Sequence, residues 1–89
     1  MAHEFLCASG FGSPDGTYVK IYQKDAWEHS SSNYWILLDG DYYILANSLT
    51  GYQYEHWLAI KIYPDHDDPT GNYSGYDGKP DGTVSDGVC

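Results

Sequence analysis

Asn33-Tyr34-Trp35-Ile36-Leu37-Leu38-Asp39-Gly40-Asp41-Tyr42-Tyr43-Ile44-Leu45-Ala46 decides the fold class. Two runs of aromatic and branched residues flank Asp39-Gly40, a dipeptide suited to the positive φ angles of a two-residue hairpin turn. With that dipeptide at the tip, Leu38 faces Asp41, Leu37 faces Tyr42, Ile36 faces Tyr43 and Trp35 faces Ile44. Aromatic and branched side chains then meet across the strands, the pairing that stabilises sheets.

The same vocabulary extends in both directions. Asp-Gly recurs at 15–16, 77–78, 81–82 and 86–87, with short runs of Tyr, Ile, Leu and Trp between the turn signals. Such spacing predicts many short strands. Thr17 to Lys24 alternates, with Val19 and Ile21 on one face and Tyr18, Lys20, Tyr22 and Lys24 on the other. Tyr52 to Tyr63 is ambiguous: Leu58, Ile60 and Ile62 alternate as in a strand, while Tyr54, Leu58 and Ile62 share a helical face. Its β-branched and aromatic content favours one or two strands. Asn72 to Asp77 reads as a last short strand, and Pro64 to Gly71 as a polar loop. Pro14-Asp15-Gly16-Thr17 and Pro80-Asp81-Gly82-Thr83 echo each other and read as two similar turns. The expected architecture is a single all-β domain over residues 1–89, an antiparallel β-sandwich or partly open barrel of about six to eight strands. Residues 1–9 form an N-terminal arm or first strand, and 79–89 an extended tail able to lie along another chain.

Composition narrows the function. The 89 residues carry 13 Asp and Glu against 4 Lys and no Arg, a formal charge of −9. A chain without a cationic face does not neutralise phosphates, so neither nucleic acid nor an anionic membrane surface is an expected partner. Aromatics at 17% separate it from acidic disordered chains, which are aromatic-poor. The first residues lack a basic segment, and their apolar stretch is too short for a secretory leader, so synthesis in a cytosol is expected. No apolar run approaches the length of a membrane helix.

The pieces also form an ordered pattern: Ala8-Ser9-Gly10-Phe11-Gly12, Gly16-Thr17-Tyr18-Val19, Tyr34-Trp35-Ile36, Asp39-Gly40, Tyr42-Tyr43-Ile44, Tyr52-Gln53-Tyr54, and Tyr76-Asp77-Gly78-Lys79-Pro80 followed by Thr83-Val84. Over residues 7 to 84 this resembles a small β-domain recurring in tailed-phage virion proteins and some multidomain bacterial surface proteins. The resemblance implies a structural or adhesive module and carries no catalytic site. Members of that family commonly have Trp where this chain has Tyr73, and they lack both the Asp65–Asp68 cluster and the terminal cysteine.

The candidate chemistry is sparse. Asp65-His66-Asp67-Asp68 gathers three carboxylates and an imidazole, so Asp65, Asp67 and Asp68 are weak Ca²⁺ ligand candidates beside the commoner fate of a solvated acidic loop. Glu28-His29 and Glu55-His56 place acid beside imidazole, yet strand neighbours point to opposite faces and form no dyad. An enzyme is not expected, nor is a cofactor. Cys7 and Cys89 permit an intrachain bridge, bridges between subunits, or two free thiols. The ten tyrosines exceed what a small core requires. Tyr18, Tyr22, Tyr52, Tyr54 and Trp57 are therefore the candidate contact residues, since such rings suit protein interfaces and also stack on sugars. Three readings follow. The first is a virion structural protein, located in the virion, oligomeric or attached to other virion structural proteins. The others are a glycan-binding adhesion module and an acidic inhibitor of a host protein.

Overall fold

The computed structural model of the chain describes residues 3–21, 25–40, 42–48, 56–62 and 68–89. Eight short strands follow one another: β1 (Phe5–Ser9), β2 (Gly16–Lys20), β3 (Ala26–His29), β4 (Trp35–Asp39), β5 (Tyr42–Ala46), β6 (Trp57–Lys61), β7 (Gly71–Gly75) and β8 (Gly82–Asp86). Each pairs antiparallel with the next, and β8 returns to pair with β1, so the sheet closes into an up-and-down barrel. Closure removes the sheet edges that would otherwise template association. The fold is all-β, as the sequence predicts, and of the two architectures expected it is the barrel, fully closed.

Eight strands leave an interior just wide enough for side chains to fill. Leu6, Tyr18, Trp27, Ile36, Tyr43, Leu45, Tyr73 and Val84 fill it, with Ala8 and Ala59 where the space narrows. Period-two alternation delivers them: Leu6 and Ala8 from β1, Ile36 from β4, Tyr43 and Leu45 from β5. The outward positions of β1, β2, β7 and β8 are largely polar, including Thr17, Asn72, Thr83 and Ser85. The interior is apolar, where a membrane-spanning barrel is polar within.

The central hairpin exists, but in a different register. Asp39 pairs with Tyr42, Leu38 with Tyr43, Leu37 with Ile44 and Ile36 with Leu45. Gly40, with φ at +64°, is thus the first loop residue and not the second. Both registers turn the same residues inward. The predicted one, however, sets the acid at 41 opposite Leu38 on the core face, an unpaired charge against apolar packing. The observed register gives Leu38 the ring of Tyr43 and places Asp39 on the outer face.

Three more expectations are corrected. Residues 82–86 of the presumed tail are β8, hydrogen-bonded to β1 and β7 of the same chain. In β2 the face carrying Tyr18 is the inward one: Tyr18 is fully buried, while Val19 is exposed. Leu58 and Ile60 also part company, because the β5–β6 register shifts at Leu45/Ala46. Leu58 packs on the interior cluster and Ile60 on the outside.

The echoed turn has a third copy. Pro14-Asp15-Gly16-Thr17-Tyr18, Pro69-Thr70-Gly71-Asn72-Tyr73 and Pro80-Asp81-Gly82-Thr83-Val84 each open a strand and send their fifth residue into the core. In the first two, the phenol closes the corner on its own proline: Tyr18 donates to the Pro14 carbonyl at 2.6 Å, and Tyr73 to the Pro69 carbonyl at 2.5 Å. Gly16 and Gly71, at φ +136° and +131°, supply the backbone geometry that brings each ring back over its proline. Strand direction puts the two corners at opposite ends of the barrel.

Cys7 and Cys89 are bonded to each other, 82 residues apart in sequence. Of the three cysteine readings, the intrachain bridge is the one realised. It sits at the seam: Cys7 pairs with Thr17 of β2 and Ser85 of β8, and the Cys89 amide donates to the Thr17 hydroxyl.

Candidate functional site

The up-and-down topology sorts the connections between two ends. The β1–β2, β3–β4, β5–β6 and β7–β8 connections share one end; the remaining connections and both termini share the other.

The terminal end is a structural plug. The Trp27 indole donates to the His3 carbonyl at 2.8 Å, and the buried Lys61 ammonium donates to the Asp68 carbonyl. The Asp68 carboxylate accepts from the Thr70 amide and hydroxyl at 2.9 and 2.7 Å and lies 3.3 Å from the His3 imidazole, which also meets Asp86 at 2.6 Å. The Thr70 hydroxyl bond, with the Lys61 and His3 charges behind it, holds Asp68 below the usual carboxylate range. Asp68 is thus committed to closing this end. Asp65 and Asp67 lie outside the described residues, among which no three His, Cys, Asp or Glu are grouped to hold a metal ion.

The loop end is built differently. His29 leaves β3 pointing inward, edge-on to Tyr18 at 5.1 Å and to Tyr34 at 6.0 Å between ring centroids. The amides of Ser31 and Ser32 both donate to its Nδ1, at 3.0 and 3.1 Å. That nitrogen is therefore unprotonated, and Nε2 carries the hydrogen, donated to the Asp15 carbonyl at 2.8 Å. One neutral imidazole thus ties the β1–β2 and β3–β4 loops together. His29→Ala is expected to cost about 1–2 kcal/mol, mainly by removing the half-buried bond to the Asp15 carbonyl and the ring contact with Tyr18, since the exposed Ser31 and Ser32 amides turn to water. Thermal unfolding checks the cost, and faster hydrogen exchange at Ser31 and Ser32 checks the release of those amides.

Two depressions flank Tyr34. An apolar one of about 160 Å³ is lined by Phe11, Pro14, Leu58, Pro80 and the stem of Lys79. An open cleft of about 830 Å³ is lined by Ser32, Asn33, Tyr34, Asn47, Ser48 and His56. Its far wall is tied as well: the Asn47 amide donates to the His56 carbonyl at 3.0 Å, and His56 Nδ1 meets Asn47 Oδ1 at 3.2 Å.

A third feature lies outside the barrel. Ala26, Leu37, Ile44 and Ala46 form a second buried apolar cluster on the outer face of β3–β5, and Ile21, Trp35, Trp57 and Ile60 pack against it half-buried. Tyr42 and Ile62, 36% and 48% exposed, continue this face on β5 and just past β6. Trp57 also meets Tyr76 edge-on at 5.4 Å.

Of the predicted contact residues, Trp57 lies on this outer face and Tyr18 does not reach the surface. Tyr18 is a core residue because its phenol finds a buried acceptor within its own turn. Tyr22, Tyr52 and Tyr54 lie outside the described residues. Asn33, Tyr34, Asn47 and His56 were not singled out as a group by sequence reasoning. The Ser30-Ser31-Ser32-Asn33 run marks a loop, but nothing in it indicates that Asn47, Ser48 and His56 stand opposite.

The geometry defines a closed, disulfide-clasped β-barrel with a polar cleft at one end and an apolar outer face. No family model matches the chain, and no curated protein or solved structure does so either.

Proposed function

We propose that this protein is a non-enzymatic structural or accessory component of a phage virion, acting by attachment to other virion proteins. The observation that carries this reading is the rim of the apolar cluster on the outer face of β3–β5. The cluster itself is buried within the chain, so what it leaves for a partner is its rim: half-buried Trp35 and Trp57, with Tyr42 and Ile62 exposed beyond them. Half-exposed Trp and Tyr in a contiguous apolar setting are the residues that anchor protein interfaces. The partner is a virion protein on the strength of the family resemblance, and the acidic remainder of the surface keeps such a protein soluble before assembly. An intrachain bridge suits a protein that works in oxidising surroundings after release from the cell.

The test is co-sedimentation with purified particles from a lysate in which the protein is made. Wild type is expected to travel with the particles, and Tyr42→Lys with Ile62→Lys is expected to release it, since both positions are exposed and tolerate charge. Wild-type protein that stays at the top of the gradient would remove the reading.

A further inference from the structure

We infer that the loop-end cleft between Asn33 and Asn47 is a binding site for a neutral oligosaccharide, separate from the apolar face assigned to assembly. The lining is chemically narrow. Ser32, Asn33, Asn47 and Ser48 contribute two amides and two hydroxyls, His56 an imidazole, and Tyr34 a ring with a hydroxyl at its tip. The Asn33 amide sets a donor beside an acceptor, which matches a pair of neighbouring sugar hydroxyls; the Asn47 amide, its Oδ1 shared with His56, adds its NH2 donors, and the Ser32 hydroxyl both donates and accepts. Tyr34 adds an aromatic surface whose negative face attracts the C–H groups of a pyranose. Its position between the apolar depression and the polar cleft gives the ring one dry side and one wet side.

Electrostatics selects among sugars. Among the described residues no lysine or carboxylate lines the cleft, and the chain as a whole carries a charge of −9. An acidic saccharide would meet that negative charge with no lysine among the described lining residues to offset it. A neutral one exchanges water hydrogen bonds for protein ones at little electrostatic cost.

The walls are held before any ligand arrives. His29 fixes Ser31 and Ser32 through their amides, and the Asn47–His56 backbone and side-chain contacts fix the opposite wall. Ordering costs that weaken loop-built sites are therefore already met in the free protein. At about 830 Å³ the cleft is within the size range of small-ligand sites, and it is open to solvent, so an extended chain can pass through it.

The experiment titrates isotope-labelled protein with a panel of neutral tetrasaccharides (α- and β-linked glucose, N-acetylglucosamine, galactose and mannose) and with sialylated and uronic-acid counterparts. With ligand raised to about 10 mM, high enough to register millimolar affinity, at least one neutral member is expected to shift the amides of Ser32, Asn33, Tyr34, Asn47 and Ser48. Asn33→Ala and Asn47→Ala are expected to weaken that binding about tenfold each. Tyr34→Phe is expected to retain most of it, because the ring remains. Melting temperatures of the variants separate lost binding from lost folding. No shift from any neutral member, shifts confined to other residues, preference for the acidic sugars, or unchanged binding in a folded Asn33→Ala protein would each overturn the inference. None of these outcomes bears on particle attachment, which uses the other face.

Discussion

Reduction of the Cys7–Cys89 bridge is expected to lower the unfolding free energy by about 4–5 kcal/mol, the largest effect of any single covalent change in this protein. The bond spans 82 residues, so it constrains almost the entire unfolded chain. For a domain this small, a loss of that size corresponds to a fall in melting temperature of upwards of about 20 °C. It is a large share of the roughly 5–15 kcal/mol that holds a typical domain folded. The bridge also lies on the seam where β8 closes on β1, beside the Gly87 amide bond to the Phe5 carbonyl and the Cys89 amide bond to Thr17. Calorimetry with and without a phosphine reductant tests this, with Cys7→Ser/Cys89→Ser as the control that reductant no longer affects. A reduced protein melting within a few degrees of the oxidised one would show that the sheet hydrogen bonds alone secure the seam.

The tyrosine corners come next. Tyr73→Ala and Tyr18→Ala are each expected to cost about 3–5 kcal/mol, because each ring is fully enclosed in a barrel that cannot collapse around the gap. Tyr→Phe at either position keeps the ring but leaves the Pro14 or Pro69 carbonyl without its buried donor, at about 1–3 kcal/mol. The same phenols make the fold sensitive to alkali. Burial pushes Tyr73 well above the ordinary phenol range, aided by Tyr43 and Asp68, and pushes Tyr18 up likewise, aided by Tyr34 and Asp15. In the unfolded chain both ionise near pH 10. The stability they contribute is therefore complete below about pH 10 and is lost as pH rises from there toward their folded values. Urea unfolding at several pH values between about 8 and 11.5 should show the midpoint falling steeply above 10, and the Tyr18→Phe/Tyr73→Phe protein should lose that steepness. Equal alkaline loss in both proteins would assign it to the general acidity of the chain.

Much of this architecture is legible in the residues. The hairpin at 33–46 is where the alternation places it, and Asp-Gly and Pro-x-Gly signals mark the connections because few other residues accept those backbone angles. Less legible is which aromatic goes where. Alternation sorts Tyr18 and Val19 onto opposite faces of β2, but it does not say which face turns inward. Hydrophobicity favours Val19; the structure buries Tyr18, because the Pro14 carbonyl, four residues back, satisfies its hydroxyl. The hairpin register went the same way. Turn chemistry favours Asp39-Gly40 as the loop, and the core overrides it by requiring Tyr43 and not an acid opposite Leu38. The cleft was the least legible feature, since Asn33 and Asn47 belong to loops that only the shared end of the barrel makes neighbours.

The chain by itself determined an acidic, all-β domain of short strands, with more aromatic residues than a small core consumes, and it contained the two cysteines that join. These are local or compositional properties, set by charge, by period-two alternation and by the few residues that turn tightly. Closure of the sheet, the pairing of Cys7 with Cys89, the inward turn of Tyr18 and Tyr73, and the division of the remaining surface into an apolar face and a polar cleft were decided only in three dimensions. The two tyrosines close on prolines four residues back, but the core that takes their rings, like the other features, is assembled from residues distant in sequence. Closure and the disulfide form only when β8 meets β1, and no window of residues shorter than the barrel contains them.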